Sequence, residues 1–195
     1  MKEAIIMQKN KRAMTTKTMA YCALLAALSV VLARLIGLMP DPSTRFSIEA
    51  IPIFLAGMLF GPLAGGMVGF TADFVGCLFS AFGYNPIFCI PPILYGVFGG
   101  LLRHFLAKGA NLWRLAVAFL PPVVLGSILY QSATLAYMYY EGAFLEGFIL
   151  KLSTRSVQFA ITLVVDVLII YLLMRTNIFT RMGIWPPAKK ERKST

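Results

Sequence analysis

Six long apolar stretches organise the chain: residues 18–38, 46–61, 63–81, 87–107, 113–138 and 152–174. Within each, apolar residues run on continuously instead of alternating, which predicts membrane helices and not the strands of a barrel. A straight helix needs about 20 apolar residues to cross a bilayer. The second stretch is short and the fifth is long, so the boundaries around Gly61-Pro62 and Trp113 are the loosest. Turn chemistry separates the stretches at Met39-Pro40-Asp41-Pro42-Ser43, Gly61-Pro62, Gly83-Tyr84-Asn85-Pro86 and Lys108-Gly109-Ala110-Asn111. Residues 139–151 form a tyrosine-rich, acidic link. The expected fold class is an all-α membrane protein with six transmembrane helices in one bundle and no sequence repeat. The expected parts are a cytoplasmic N-terminal segment 1–17, a six-helix transmembrane domain 18–175 and a basic cytoplasmic tail 176–195.

Composition agrees with lipid as the solvent. Apolar residues make up 58% and charged residues 13%, against roughly 45–50% and about 25% in an ordinary soluble domain. The net charge of +10 would suit nucleic acid if it were clustered on a soluble surface, but its distribution reads as topology. Fourteen of the 18 Lys and Arg lie in the N-terminal segment, the fourth-to-fifth connection (Arg103, Lys108, Arg114) and the tail from Arg175. Only Arg34, Arg45, Lys151 and Arg155 fall on the other side. By the positive-inside rule both termini are cytoplasmic, and the expected location is the plasma membrane. The first stretch is too long for a signal-peptide core and reads as a retained span. Cys22, Cys77 and Cys89 are odd in number, lack metal-ligand spacing and read as small apolar fillers.

Ionisable residues inside spans are expensive, so they point to cavities or function. Glu49, Asp73, Arg155 and Asp166 are the candidates, with Arg45 one helical turn before Glu49. Arg155 sits one turn into the sixth stretch, followed at helical spacing by Gln158 and Thr162; Asp166 lies three turns deeper and reads as structural. The fifth stretch adds Tyr130, Gln131, Thr134 and Tyr137 to the same outer depth, beside the loop 83–92. Single residues of this kind serve packing as readily as ligand contact. Their concentration in the outer half predicts a pocket open to the outside.

Small residues recur at four-residue steps: Gly61, Gly65 and Gly69, then Gly96 and Gly100, and in the first stretch Ala23 and Ala27. Such steps let helix backbones approach closely in lipid. For the glycines the reading is packing inside the bundle; the alanine face can also dock another membrane subunit. No Gly-x-x-x-x-Gly-Lys-Ser/Thr loop is present, so the chain carries no ATP-binding P-loop. A single histidine, His104, excludes a His-Glu-x-x-His zinc site, and no Gly-x-Ser-x-Gly elbow occurs. The chain therefore does not read as an enzyme, and no cofactor or metal of its own is expected.

The run Arg45-Phe46-Ser47-Ile48-Glu49-Ala50-Ile51-Pro52-Ile53 leads into Gly57-Met58-Leu59-Phe60-Gly61-Pro62-Leu63-Ala64-Gly65. Thr71-Ala72-Asp73-Phe74-Val75-Gly76, Gly83-Tyr84-Asn85-Pro86 and Leu94-Tyr95-Gly96 follow. This order resembles the substrate-binding (S) component of energy-coupling factor (ECF) vitamin transporters, and most the folate-specific branch. The Phe-Gly-Pro turn and the mid-span Asp-x-x-Gly support the superfamily, while Arg-Phe-Ser and Gly-Tyr-Asn-Pro push towards folate. The resemblance implies a six-helix bundle that binds one vitamin from outside. It then joins a transmembrane scaffold subunit and two ATPases, which bind the ATP. It also maps the scaffold contact onto Ala23 and Ala27. The implied partners are folate, that module and membrane lipid, with no nucleic acid.

Folate chemistry suits the outer residues. A carboxylate, Asp73 or Glu49, can accept the amino and ring N–H edge of a pterin. Gln131 or Asn85 can complete the ring edge, and Tyr84, Tyr95, Tyr130 or Tyr137 can stack on the flat rings. Arg45 or Arg155 can take the pterin or the glutamate carboxylates. The segment 39–44, with two prolines, reads as a stiff lid hinged at both ends. One alternative keeps the fold and changes the vitamin to riboflavin, pantothenate, thiamine or a queuosine precursor. A second is a self-contained homo-oligomeric transporter, and a third, a membrane enzyme, lacks any catalytic constellation.

Overall fold

The computed structural model describes residues 15–35, 38–41, 44–46, 48–79, 85–109, 111–140, 142–176 and 178–185. Helix α1 (Thr16–Leu35) is followed by strands β1 (Leu38–Asp41) and β2 (Thr44–Phe46). Then come α2 (Ala50–Phe60), α3 (Pro62–Leu78), a 3-10 turn (Pro86–Cys89), α4 (Ile90–Leu101) and α5 (Arg103–Ala107). Helix α6 (Leu112–Pro122) runs through a π-wound segment (Val123–Tyr130) into α7 (Gln131–Tyr139), and α8 (Phe144–Arg175) and α9 (Ile178–Arg181) complete the order.

The bundle is helical, but the expectation of helices alone needs one correction. The segment expected to be a loop over 39–44 is largely a two-stranded antiparallel hairpin, with Leu38 opposite Phe46 and Asp41 opposite Thr44. Pro40 is tolerated there because a two-stranded sheet consists only of edges. The hairpin starts the chain's return before α2, so the second apolar stretch is helical only from residue 50. Strand β2 packs against α8.

Among the described residues, three helices are long and apolar enough to cross a membrane: Thr16–Ala33 within α1, Leu112–Tyr139 and Phe144–Arg175. Ala50–Phe60, Pro62–Leu78 and Pro86–Leu101 are shorter apolar helices. The shortest has a distinct role. At about 1.5 Å per residue α2 is far too short to cross unaided, yet every residue from Ala50 to Leu59 is buried. A helix apolar on all sides belongs at the centre of a bundle, and α1, α3, α4 and α8 surround it. Much of the outer surface is apolar too: Leu24, Leu63, Leu145 and Val164 are each at least 66% exposed. A chain that wears leucine and valine on both its inside and its outside is solvated by lipid.

Glycine sets how tightly α2, α3 and α4 meet. Gly61 turns α2 into α3 at φ +105°, a conformation L side chains rarely adopt, and Pro62 opens α3 where its missing N–H costs nothing. A Cβ at Gly65 or at Gly57 would collide with the Gly96 carbonyl, and one at Gly96 with the Gly65 carbonyl. Gly69 meets the Pro92 carbonyl and Gly100 the Pro62 nitrogen in the same way. The four-residue steps are therefore backbone-to-backbone crossings of α3 and α4. Gly57 on α2, four residues before Gly61, extends the same step and belongs to the same crossing.

Two boundaries differ from expectation. Helix α8 begins at Phe144 and absorbs most of the acidic link, so it is 32 residues long and Arg155 sits three turns in instead of one. The segment after 175 is not only a tail. Gly183, at φ +69°, caps α9: the Ile184 N–H donates to the Phe179 carbonyl at 3.0 Å and the Gly183 N–H to that of Thr180 at 3.1 Å. The chain is thereby turned back, and Trp185 is buried in the core at 9% exposure.

Candidate ligand-binding site

The long helix Leu112–Tyr139 is where the polar residues gather, and its winding is unusual. Pro121 and Pro122 at the end of α6 lack N–H groups, so two carbonyls one turn earlier lose their intrahelical donors. The next eight residues, Val123–Tyr130, follow π winding. The Gln131 N–H donates to the Gly126 carbonyl, five residues back, so the Ser127 carbonyl is relieved of the bond an α-helix would give it. Gly126 allows this stretch to lie against α4, where a Cβ would sit 3.3 Å from Pro91 Cα.

Ser127 is the hub. Its hydroxyl and the Tyr95 hydroxyl on α4 share a hydrogen bond of 2.9 Å. Its carbonyl accepts from Arg155 Nη1 on α8 at 3.5 Å, a weak contact, while the same Nη1 donates to Gln131 Oε1 at 2.7 Å. The guanidinium also lies 5.8 Å from the Phe159 ring centroid. Both hydrogen-bond acceptors are neutral, and the buried Arg155 Nε has no partner among the described residues. Among the described residues this partly buried cation is held by neutral acceptors, and an anionic ligand would supply the complementary charge.

Of the expected site residues, Gln131, Arg155 and Tyr95 thus share one cluster on α4, α7 and α8. Tyr95 is 6% exposed, and its ring packs at 5.2 Å against Phe119, which lies 4.7 Å from Phe54. This enclosed ring leaves no face for a stacked ligand. Glu49 precedes α2, half-buried, with its carbonyl accepting from Ser29 Oγ on α1 at 2.8 Å. Glu49 and Asp166 are within electrostatic range of each other and of Tyr95. Asp166 is 1% exposed, and its Oδ1 has no hydrogen-bond partner among the described residues. Asp73 is half-buried on α3, one turn beyond Gly69 at the crossing with α4.

Asn85 lies at the start of the 3-10 turn that precedes α4. Its Oδ1 accepts from the Ile87 N–H at 3.1 Å and caps the 3-10 turn, while its Nδ2 lies 3.9 Å from Met138 Sδ. Met138 joins Tyr137, Tyr140, Gly142 and Phe144 around an open surface pocket of about 560 Å³. Tyr137 is 79% exposed there, away from the Arg155 cluster. Arg45 lies in β2, and its side chain is outside the described residues, as is all of Tyr84. Sequence reading missed Ser127. The signal was Pro121-Pro122 ahead of Gly126-Ser127 in an otherwise apolar run. On α1, Ala23 and Ala27 are exposed together with Met19, Leu24, Leu28 and Val31, while Cys22, Ala26 and Ser29 turn inward.

Comparison with known proteins brings these features into one frame. Over 85 residues the chain is 35% identical to the folate transporter FolT of Clostridium novyi (strain NT), covering 41% of this chain and 49% of that protein. Over 71 residues it is 35% identical to the uncharacterized MG098 homolog of Mycoplasma pneumoniae (strain ATCC 29342 / M129 / Subtype 1), covering 36% of this chain and 15% of that protein. The matches thus span about half the length of the first relative and far less of the second. A crystal structure of FolT bound with folic acid superposes with a TM-score of 0.63 at 29% identity, over 78% of this chain and 91% of that one. The family model for the ECF-type riboflavin transporter, S component, matches residues 13–175. That range runs from just before α1 to the end of α8, and on it the chain belongs to the family of ECF-type riboflavin transporter S components.

Proposed function

We propose that this chain captures folate from outside the cell and delivers it through a transmembrane scaffold subunit and two ATPases, as the substrate-binding S component of an ECF-type transporter. The observation that carries the choice of vitamin is the likeness to FolT, which extends over 91% of a chain solved with folic acid bound. The site chemistry supports it. Folate ends in a glutamate with two carboxylates, and Arg155 is a half-buried cation whose hydrogen bonds among the described residues go to neutral acceptors. In this reading Arg155, steadied by Gln131, takes a glutamate carboxylate, with Arg45 on the adjoining hairpin as a second cation. The pterin edge takes Asp73 or Glu49, and Tyr84 and Asn85 line the outer rim.

The remaining parts follow from the same reading. The three shorter apolar helices cross the plasma membrane together with the three long ones, making six spans. The clustering of Lys and Arg sets both termini in the cytoplasm. The exposed Ala23–Ala27 face of α1 receives the scaffold, because small side chains let a partner helix approach its backbone. ATP is bound by the partner subunits, and this chain works without a cofactor of its own.

Riboflavin is the second reading, favoured by the family model's own description. Riboflavin carries no carboxylate, so Arg155 would then face no complementary charge. Calorimetric titration of the purified chain with folic acid, riboflavin, thiamine and pantothenate decides between them. Binding of folic acid alone supports the proposal. Binding of riboflavin in its place refutes the folate assignment while keeping the family.

A further inference from the structure

We propose that Tyr95 and Ser127 form a positioning relay that aims the Arg155 guanidinium at the anionic end of the ligand, with the π-wound segment Val123–Tyr130 as its frame. The inference rests on Arg155 being the anion contact and extends that reading to residues that do not touch the ligand.

Three observations carry it. First, Tyr95 is enclosed, its ring against Phe119 and its hydroxyl on Ser127 Oγ at 2.9 Å, so its polar atom points to the π segment. Second, Ser127 uses both of its acceptor groups to join different helices: the hydroxyl engages α4 and the carbonyl engages Arg155 on α8. Third, the π winding decides that geometry. The Gln131 amide goes to Gly126 in place of Ser127, which leaves the Ser127 carbonyl for the guanidinium. The same winding sets the rotation of α7 that carries the Gln131 side chain to Arg155 at 2.7 Å. Rewinding one turn to α would change that rotation by about one residue's worth, roughly 100°, and Gln131 would leave Arg155. The α4 contacts of Tyr95 and Gly126 hold the segment in its π form. Tyr95 is therefore a positioning residue, acting on the ligand only through Arg155.

The test uses the full-length chain in detergent and two probes, folic acid and 6-methylpterin, the latter lacking carboxylates and read by competition. Tyr95→Phe and Ser127→Ala each remove one hydroxyl of the relay. Each is expected to weaken folic acid binding by about two- to tenfold, the range of one hydrogen bond, while 6-methylpterin binding stays within twofold. In an Arg155→Met background neither substitution has a further effect on folic acid. Loss of both probes alike, or an equal further loss in the Arg155→Met background, overturns the relay, since the hydroxyls would then touch the ligand or merely support the fold. No loss from either single variant overturns it too. If Arg155→Met itself leaves folic acid affinity unchanged, the assignment of the anion contact fails and the relay with it. If Arg155→Met weakens folic acid selectively and Tyr95→Phe does not, the relay alone fails.

Discussion

Gly65 and Gly66 are neighbours on α3, and the same substitution at each should move stability in opposite directions. At Gly65 an alanine Cβ meets backbone on two helices: the Gly96 carbonyl on α4, and Gly57 Cα on α2 at 2.5 Å. Carbon atoms in ordinary contact sit about 3.5–4.0 Å apart, so the helices must separate by roughly 1 Å along this crossing. Backbone cannot swing aside as a side chain does, and overpacking of this kind costs about 1–3 kcal/mol or more. Tyr95 is adjacent to Gly96, so the displacement also reaches the Tyr95–Ser127 hydrogen bond. At Gly66 the nearest atoms are methyl groups, Val97 Cγ2 at 3.2 Å and Ile93 Cγ2 at 3.8 Å, and both can shift. There the gain in helix propensity from Gly to Ala, up to about 1 kcal/mol, faces only a small steric cost. Thermal unfolding of the purified variants in one detergent measures both. At about 2–4 °C per kcal/mol for a chain of this size, Gly65→Ala should melt several degrees below the parent and Gly66→Ala at or slightly above it. Equal melting temperatures for Gly65→Ala and the parent, or an equal loss for both variants, would refute the claim that backbone contact at Gly65 sets the α2–α3–α4 spacing.

Arg155→Met keeps length and apolar bulk while removing the charge. It should raise the Kd for folic acid by roughly 10- to 150-fold, the range of about 1.5–3 kcal/mol for a charge-assisted hydrogen bond. The ligand-free protein should melt no lower, because a buried uncompensated cation costs stability; a clear fall in melting temperature with folic acid affinity retained would show the arginine to be bundle glue. Ala23→Trp on the exposed face of α1 should leave folic acid titration of the isolated chain unchanged and block co-purification with the scaffold and ATPases. Intact assembly would move the docking surface elsewhere. Trp185→Ala should cost about 3–5 kcal/mol, read as a lower melting temperature. An unchanged melting temperature would mean that the turn after α9 contributes nothing to the core.

The helical bundle was legible because membrane helices announce themselves: continuous apolar runs, charges gathered between them and four-residue glycine steps are properties of order along the chain. The clustering of lysines and arginines between apolar stretches, the missing P-loop and the candidacy of Arg155, Gln131 and Tyr95 needed no coordinates. What the order of residues does not carry is rotation about each helix axis and the start of each helix. Those depend on contacts between segments distant in sequence. The hairpin at β1 and β2 is a pairing across the turn, so two prolines read as a rigid loop. Residue order offers Tyr95 as one of four candidate stacking rings and does not carry its contact with Phe119, 24 residues later. Ser127 looked like one small residue in an apolar run. Its role exists because two prolines and a close crossing with α4 wind its helix differently from its neighbours, and only packing decides winding.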